Sequence, residues 1–147
     1  MAQFLSNYLA GVSGTSGVLA WLKGTTFPAA PANTYVALLT TAPTDRAGTS
    51  AVEVSGSAYA RQAIASSGWS SIGTSGSGVT TIYQVTNSST INFPTATGSW
   101  GTVVGIALYD ALTTGNLLAY GDLSSSLAVA SGDTFQIPAN DLVFQMK

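Results

Sequence analysis

The sequence predicts a mainly β protein, an antiparallel β-sandwich or barrel-like domain of about eight strands with short N-terminal helices. Three observations lead there. Short apolar runs recur at intervals of about ten residues, separated by Gly, Pro, Asn, Asp and Ser turns. Two of these runs, Val103–Tyr109 and Leu117–Tyr120, flank Asp110–Asn116, whose Thr114-Gly115-Asn116 is turn chemistry. Gly and Asn accept positive φ, so the chain can reverse there and pair the runs as a hairpin. The third observation is that the hairpin does not alternate. Val104, Ile106 and Leu108 fall on one face and Val103, Ala107 and Tyr109 on the other, so both faces are apolar. Antiparallel sheets usually leave one face to water, so this one needs a layer over each. One layer is the domain's own core; the other is a second sheet, a helix or a neighbouring subunit.

Taken in order, residues 2–24 read as helical but broken. Phe4, Leu5, Tyr8, Leu9 and Val12 form a helical stripe, after which Gly11, Gly14 and Gly17 loosen the chain. A second short helix is framed by Ser16 as N-cap and Gly24 as terminator, with Val18, Leu19 and Leu22 on its apolar side. Met1–Gly14 either packs on the domain's own sheet or reaches a neighbour as an arm. Pro28 and Pro31 make Phe27–Asn33 a linker, which divides the chain into a helical arm and linker, 1–33, and a β-sandwich, 34–147. Tyr35–Thr41 is a strand apolar on both faces, Ala42–Ser50 a loop, and Ala58–Ala65 a moderate strand. Ser66–Gly78 is low-complexity Ser/Gly/Thr around Trp69 and Ile72, a mobile loop or weak edge hairpin. Val79–Thr86 and Thr90–Phe93 are strands, the latter stopped by Pro94. After the hairpin come Leu127–Val129, Thr134–Ile137 and Leu142–Gln145, each short.

Composition excludes several functions. Hydrophobic residues make up 46% of the 147 and charged ones only 7%, against the roughly 25% charged that soluble proteins carry. Such a surface offers little repulsion between copies and favours association. Lys23, Arg46, Arg61 and Lys147 are scattered, giving no stripe to neutralise phosphates, so nucleic acid is not an expected partner. With no Cys and no His, disulfides, thiolate metal sites and a His base are excluded. No metal or cofactor is expected. The N-terminus lacks the pattern of a secretory signal, and no run reaches transmembrane length, so synthesis in a cytoplasm and no membrane partner are expected.

The candidate motifs point away from catalysis. Gly11–Gly17 and Gly73–Gly78 lack the Lys-Ser/Thr ending of a phosphate loop. The acids Asp45, Glu53, Asp110, Asp122, Asp133 and Asp141 are far apart in sequence, and Asp110 and Asp133 are placed like turn residues that accept local N–H groups. Serines abound but have no His base, and a Ser-Lys pair would have to use Lys23 or Lys147. Asn87-Ser88-Ser89 fits a glycosylation pattern by coincidence. Arg61 stands in a small-residue strand. Its two readings are a rim arginine whose head bonds carbonyls or an acid, which is favoured, and an anchor into a partner subunit. Trp21 and Tyr83 read as core. Trp69 and Trp100 lie beside Gly/Ser loops and could close the sandwich, plug an interface or stack on sugars.

Four segments in a fixed order carry a resemblance: Tyr35–Asp45 (YVALLTTAPTD), Glu53–Gln62 (EVSGSAYARQ), Ile91–Val103 (INFPTATGSWGTV) and Gly115–Gly121 (GNLLAYG). Together they resemble a family of small tailed-phage virion proteins of the tail-fibre-like or head-decoration (cement) kind. The resemblance covers Tyr35 to Lys147; the N-terminal segment and the Ser66–Gly78 insert stand outside it. It implies a non-enzymatic structural protein, a homotrimer on the virion surface. The leading expectation is a capsid decoration protein resting on the major capsid protein. Phe4, Leu5, Tyr8 and Leu9 would touch the capsid, and Val104, Ile106, Leu108 and Arg61 would form the subunit interface. The alternative is a tail-fibre or collar module that binds host-surface glycans, with Trp69 and Trp100 as stacking platforms. No small-molecule ligand is expected.

Overall fold

The structure, a computed structural model, describes residues 3–5, 17–25, 27, 29–45, 47–76 and 82–146. Its main sheet runs β1 (Gln3–Leu5), β9 (Leu117–Val129), β8 (Gly101–Tyr109) and β2 (Asn33–Thr41). Two short strands, β3 (Val52–Glu53) and β4 (Gln62–Ala65), pair with opposite ends of β2. Two smaller sheets form the second layer. One joins β11 (Val143–Met146), β6 (Ile82–Thr86) and β5 (Gly73–Ser75); the other pairs β10 (Gln136–Ile137) with β7 (Ile91–Asn92). Every pairing is antiparallel. The β-sandwich class read from the sequence is the one observed.

The hairpin at the centre forms as its turn chemistry predicts, with a detail of its own. Thr114 and Gly115 take positive φ, while Asn116 instead ties the loop shut. Asp110 Oδ1 accepts the Asn116 backbone N–H at 2.6 Å, and Oδ2 accepts its side-chain amide at 2.7 Å. The two runs Leu117–Tyr120 and Leu127–Val129 belong to one continuous β9.

The faces of β8 differ from simple alternation. Between Val103 and Gly105 the register with β9 jumps from Leu127 to Asp122. That bulge resets the phase, so Val103 joins Ile106 and Leu108 in the core, and Val104 is left half-buried. The core between the layers packs Val36, Leu38, Ile64, Val103, Ile106 and Leu108 against Ile91, Phe93, Trp100, Phe135, Ile137 and Leu142. Each buried Leu or Ile side chain there contributes about 1.5–3 kcal/mol.

The opposite face carries Ala37, Leu39, Ala107 and Tyr120, with Ala51, Tyr109 and Leu117 around them. Its cover comes from the chain itself. The loop between β2 and β3 folds back over it: Gly48 sits against Leu117, and the Tyr120 hydroxyl donates to the Asp45 carbonyl at 3.1 Å. Asp45 organises that loop, accepting the Gly48 N–H and the Thr49 hydroxyl, each at 2.8 Å. The Thr49 hydroxyl bond holds its carboxyl below the usual range, against a weaker upward push from burial.

Three other expectations are corrected. Gln3–Leu5, read as part of a helix, is a strand paired with Ala119–Gly121; edge pairing there satisfies the backbone of β9, whereas an isolated short helix is marginal in water. The second helix, α1 (Val18–Leu22), does form, but Gly17 at φ 93° precedes it without a side-chain cap. Ser16, Tyr8 and Leu9 lie outside the described residues. Trp21 and Tyr83, read as core, are 57% and 56% exposed.

Candidate functional site

The polar centre of the sandwich is a knot built on β3 and the segment before β4. Gly56, Ser57 and Ala58 all take positive φ, 71°, 49° and 65°. The last two are strained for residues with a Cβ, at roughly 1 kcal/mol or more each. Neighbours hold them there. The Ser57 carbonyl accepts both the Thr97 N–H at 3.1 Å and the Trp100 indole N–H at 3.0 Å, and the Tyr59 N–H donates to the Gly56 carbonyl at 2.8 Å. The strand expected over Ala58–Ala65 therefore begins only at Gln62.

This tight turn throws Tyr59 inward and Arg61 across the end of the sheet. The Tyr59 ring stacks on Phe93 and meets Trp100 edge-on, with centroids 6.1 and 5.4 Å away. Its hydroxyl accepts the Leu38 N–H and donates to Glu53 Oε1, both at 2.9 Å. Arg61 grips the same carboxylate in a fork, Nε to Oε1 at 2.9 Å and Nη2 to Oε2 at 2.8 Å. Its Nη1 donates to the Ala111 and Thr114 carbonyls at 2.9 and 2.8 Å, and its guanidinium lies 3.6 Å from the Tyr109 ring centroid. One side chain thus ties β3, the hairpin loop and the outer face together. Burial pushes the Tyr59 hydroxyl far above its ordinary range, and burial raises Tyr109 as well, partly opposed by the Arg61 charge.

Beside the knot lies a cavity of about 440 Å³, open to solvent. Its walls are the turn from Glu53 to Arg61 on one side and Leu112, Thr113 and Thr114 on the other. Glu53 is its only carboxylate. Among the described residues no group of three or more acids gathers as a metal site.

The residues singled out from sequence fall in different places. Arg61 takes the rim role, bonded to an acid and two carbonyls within its own chain. Ile106 and Leu108, expected at a subunit interface, are buried in the chain's own core because the second layer covers that face. Trp100 is 4% exposed and its indole N–H is engaged, so it offers no stacking surface. Trp69 is half-buried against the core and donates to the Thr34 hydroxyl at 3.0 Å. Phe4 and Leu5 lie in β1. Asp110 and Asp133 accept local N–H groups as expected. Asn87 is buried, bonding the Ser89 and Pro138 carbonyls and the Leu142 N–H, which makes its sequon inaccessible. Glu53 stands in the sequence only as one of six scattered acids, and Tyr59 and Leu112 give no signal of their own. The available signal was an acid and an arginine eight residues apart around a Gly-Ser turn, one reach across a tight reversal.

These features define a small, charge-poor β-sandwich module with an open surface cavity. The family model described as Podophage GP4 fiber I protein gp80 matches residues 5–145, and the chain belongs to that family of phage virion structural proteins. Among curated proteins none matches it.

Proposed function

We propose that this chain is a non-enzymatic fibre or collar module of the virion. In this reading it joins copies of itself, as a homotrimer, through its N-terminal segment and turns the sandwich toward host-surface glycans. The fibre description of its family favours this over capsid decoration. Within the chain, the observation that carries it is the segment around α1. Leu19, Trp21, Leu22 and Phe27 are 54, 57, 68 and 44% exposed, while Ala20 is the one buried residue of the helix. The helix makes at most marginal contact with the strands. A shallow recess of about 390 Å³ opens between Trp21, Gly24, Thr25 and Phe27.

An aromatic beside a recess suits a knob-and-pocket contact between subunits, where a few such anchors carry most of the binding energy. A chain with only 7% charged residues adds little repulsion to oppose it. The non-enzymatic part is supported by the cavity's chemistry. Paired-carboxylate glycoside hydrolysis needs two acids, and Glu53 is a single one already held by Arg61 and Tyr59.

Light scattering on the purified protein tests the assembly. Three-fold mass is expected for the native chain and single mass for the Trp21→Ser/Leu22→Ser variant. A native chain that stays single at high concentration, or a variant that stays assembled, overturns the reading. Counting copies per virion separates fibre from decoration: a few to a few dozen fit a fibre or collar, and hundreds return the chain to the head.

A further inference from the structure

We infer that the cavity between the Glu53–Arg61 turn and the Leu112–Thr114 turn is a subsite for one neutral saccharide unit. This rests on the host-facing reading above and names the place and the class of sugar. Size is the first argument: about 440 Å³ lies at the lower end of the roughly 300–1,000 Å³ typical of small-ligand sites.

Charge is the second. The wall carries one acid and one arginine that neutralise each other at 2.8 Å. An anion would face the Glu53 carboxylate and a cation the Arg61 guanidinium, so neither gains a net partner. A ligand with adjacent hydroxyls suits both at once. Arg61 Nη2 has two hydrogens and gives one to Glu53 Oε2, leaving one to donate, and Oε2 keeps a lone pair to accept. One sugar hydroxyl can accept from Nη2 while its neighbour donates to Oε2.

The third argument is the pairing of polar and apolar walls. Leu112 is 51% exposed at the rim of the cavity. With Ala60 it offers a surface to the C–H face of a sugar ring, and Ser55 and Thr113 border the same space. Strain supplies the fourth. The left-handed Ser57 and Ala58 and the left-handed Thr114 stand in the two turns that bound the cavity. Strained residues with a Cβ gather where a rigid site is shaped in advance. Pinned through Ser57 to Trp100 and through Arg61 to Thr114, the walls have little freedom to lose on binding. A single unit would be held weakly, and several copies on one particle would sum through avidity.

Saturation-transfer difference NMR on the full-length assembled protein tests this. The probes are methyl glycosides of glucose, galactose and N-acetylglucosamine, with N-acetylneuraminic acid as the anionic comparison. Ala60→Trp fills the cavity from its exposed rim and Leu112→Ala removes its apolar wall; neither touches the ion pair. At least one neutral probe is expected to bind, with affinity falling about tenfold or more in each variant, as for loss of a pocket's anchor. Tyr83→Ala, an exposed aromatic outside the cavity, is expected to change nothing. If Ala60→Trp fails to fold, Leu112→Ala decides. Neutral binding that survives in the variants, or that vanishes only in Tyr83→Ala, overturns this site and leaves the glycan-binding module standing. Preference for the anionic sugar overturns the charge argument and with it the site. Absence of binding to every probe, together with absence of binding to host envelope glycans on an array, overturns both.

Discussion

Leu38 and Leu39 lie side by side on β2 with no access to solvent, whereas Leu19, Trp21 and Leu22 on α1 stand largely in water. The two regions have similar residues and opposite environments. In the body of the sandwich, two faces of one sheet are covered by the second layer and by the loop around Asp45. Polar groups that fall inside are matched: among the described residues no buried side-chain nitrogen or oxygen lacks a partner. On α1, by contrast, Leu19, Trp21 and Leu22 stay largely exposed and Ala20 is the one buried residue. The body therefore draws its stability from within the subunit. The segment keeps apolar surface exposed, and that surface is what the proposed assembly would use.

The sharpest way to break this contrast is to substitute inside the body. Leu38→Ala leaves a hole in a fully buried site and is expected to cost about 3–4 kcal/mol, measured by denaturant unfolding. A loss under about 1 kcal/mol would mean that β2 repacks and is not the rigid centre described. Next comes Arg61→Ala. It strands the Glu53 carboxylate, whose side chain is 25% exposed, and frees the Ala111 and Thr114 carbonyls. A loss of about 3 kcal/mol is expected, since removing one partner of a mostly buried pair costs more than the pair itself contributes. Arg61→Lys should recover only part of it, because an ammonium cannot hold the fork and both carbonyls together.

Much of the body was legible because its signals are local. The turn at Thr114-Gly115-Asn116, the bracing by Asp110 and Asp133, and the Glu53 half of Arg61's rim role all follow from residues near one another in sequence. The Ala111 and Thr114 carbonyls that complete that role come from the distant hairpin loop. The bulge at Val103–Gly105 was not legible, because one shifted pairing across β9 reverses which of Val103 and Val104 is buried, and nothing in β8 itself announces it. Nor was the strand at Gln3–Leu5: its helical stripe is real, but the partner that overrides it lies at Ala119–Gly121. For the same reason Trp100 was open to opposite readings. What settles it is the Ser57 carbonyl, delivered by a turn far away in the chain. At the candidate site the charges were visible and the cavity was not, since it exists only between two distant turns.

Titration gives a smaller test of the same body. The chain has no histidine, so no side chain with an ordinary pKa near neutrality is present to change stability between about pH 6 and 9. Alkali is different. Burial raises Tyr59 above its unfolded value, so its contribution is complete below about pH 10 and is lost as pH rises further, when the unfolded chain ionises and the folded one does not. Tyr109 acts in the same direction. Unfolding free energy should decline above about pH 10, by up to about 1.4 kcal/mol per pH unit for each tyrosine held neutral. Tyr59→Phe should flatten that decline despite being less stable at neutral pH. An unchanged alkaline slope would place Tyr59 in water.

The smallest effect on stability belongs to the other region. Trp21→Ser removes a side chain that is 57% exposed, so the single chain should lose less than about 0.5 kcal/mol. Its consequence should appear instead in concentration dependence. Wherever an apolar anchor is buried only by a partner, the melting temperature of the native protein rises with concentration, and that of the variant does not. The two measurements must be made together. A variant that is unstable at every concentration would put Trp21 in the body after all, and a native chain whose melting ignores concentration would leave the exposed segment without a role in assembly.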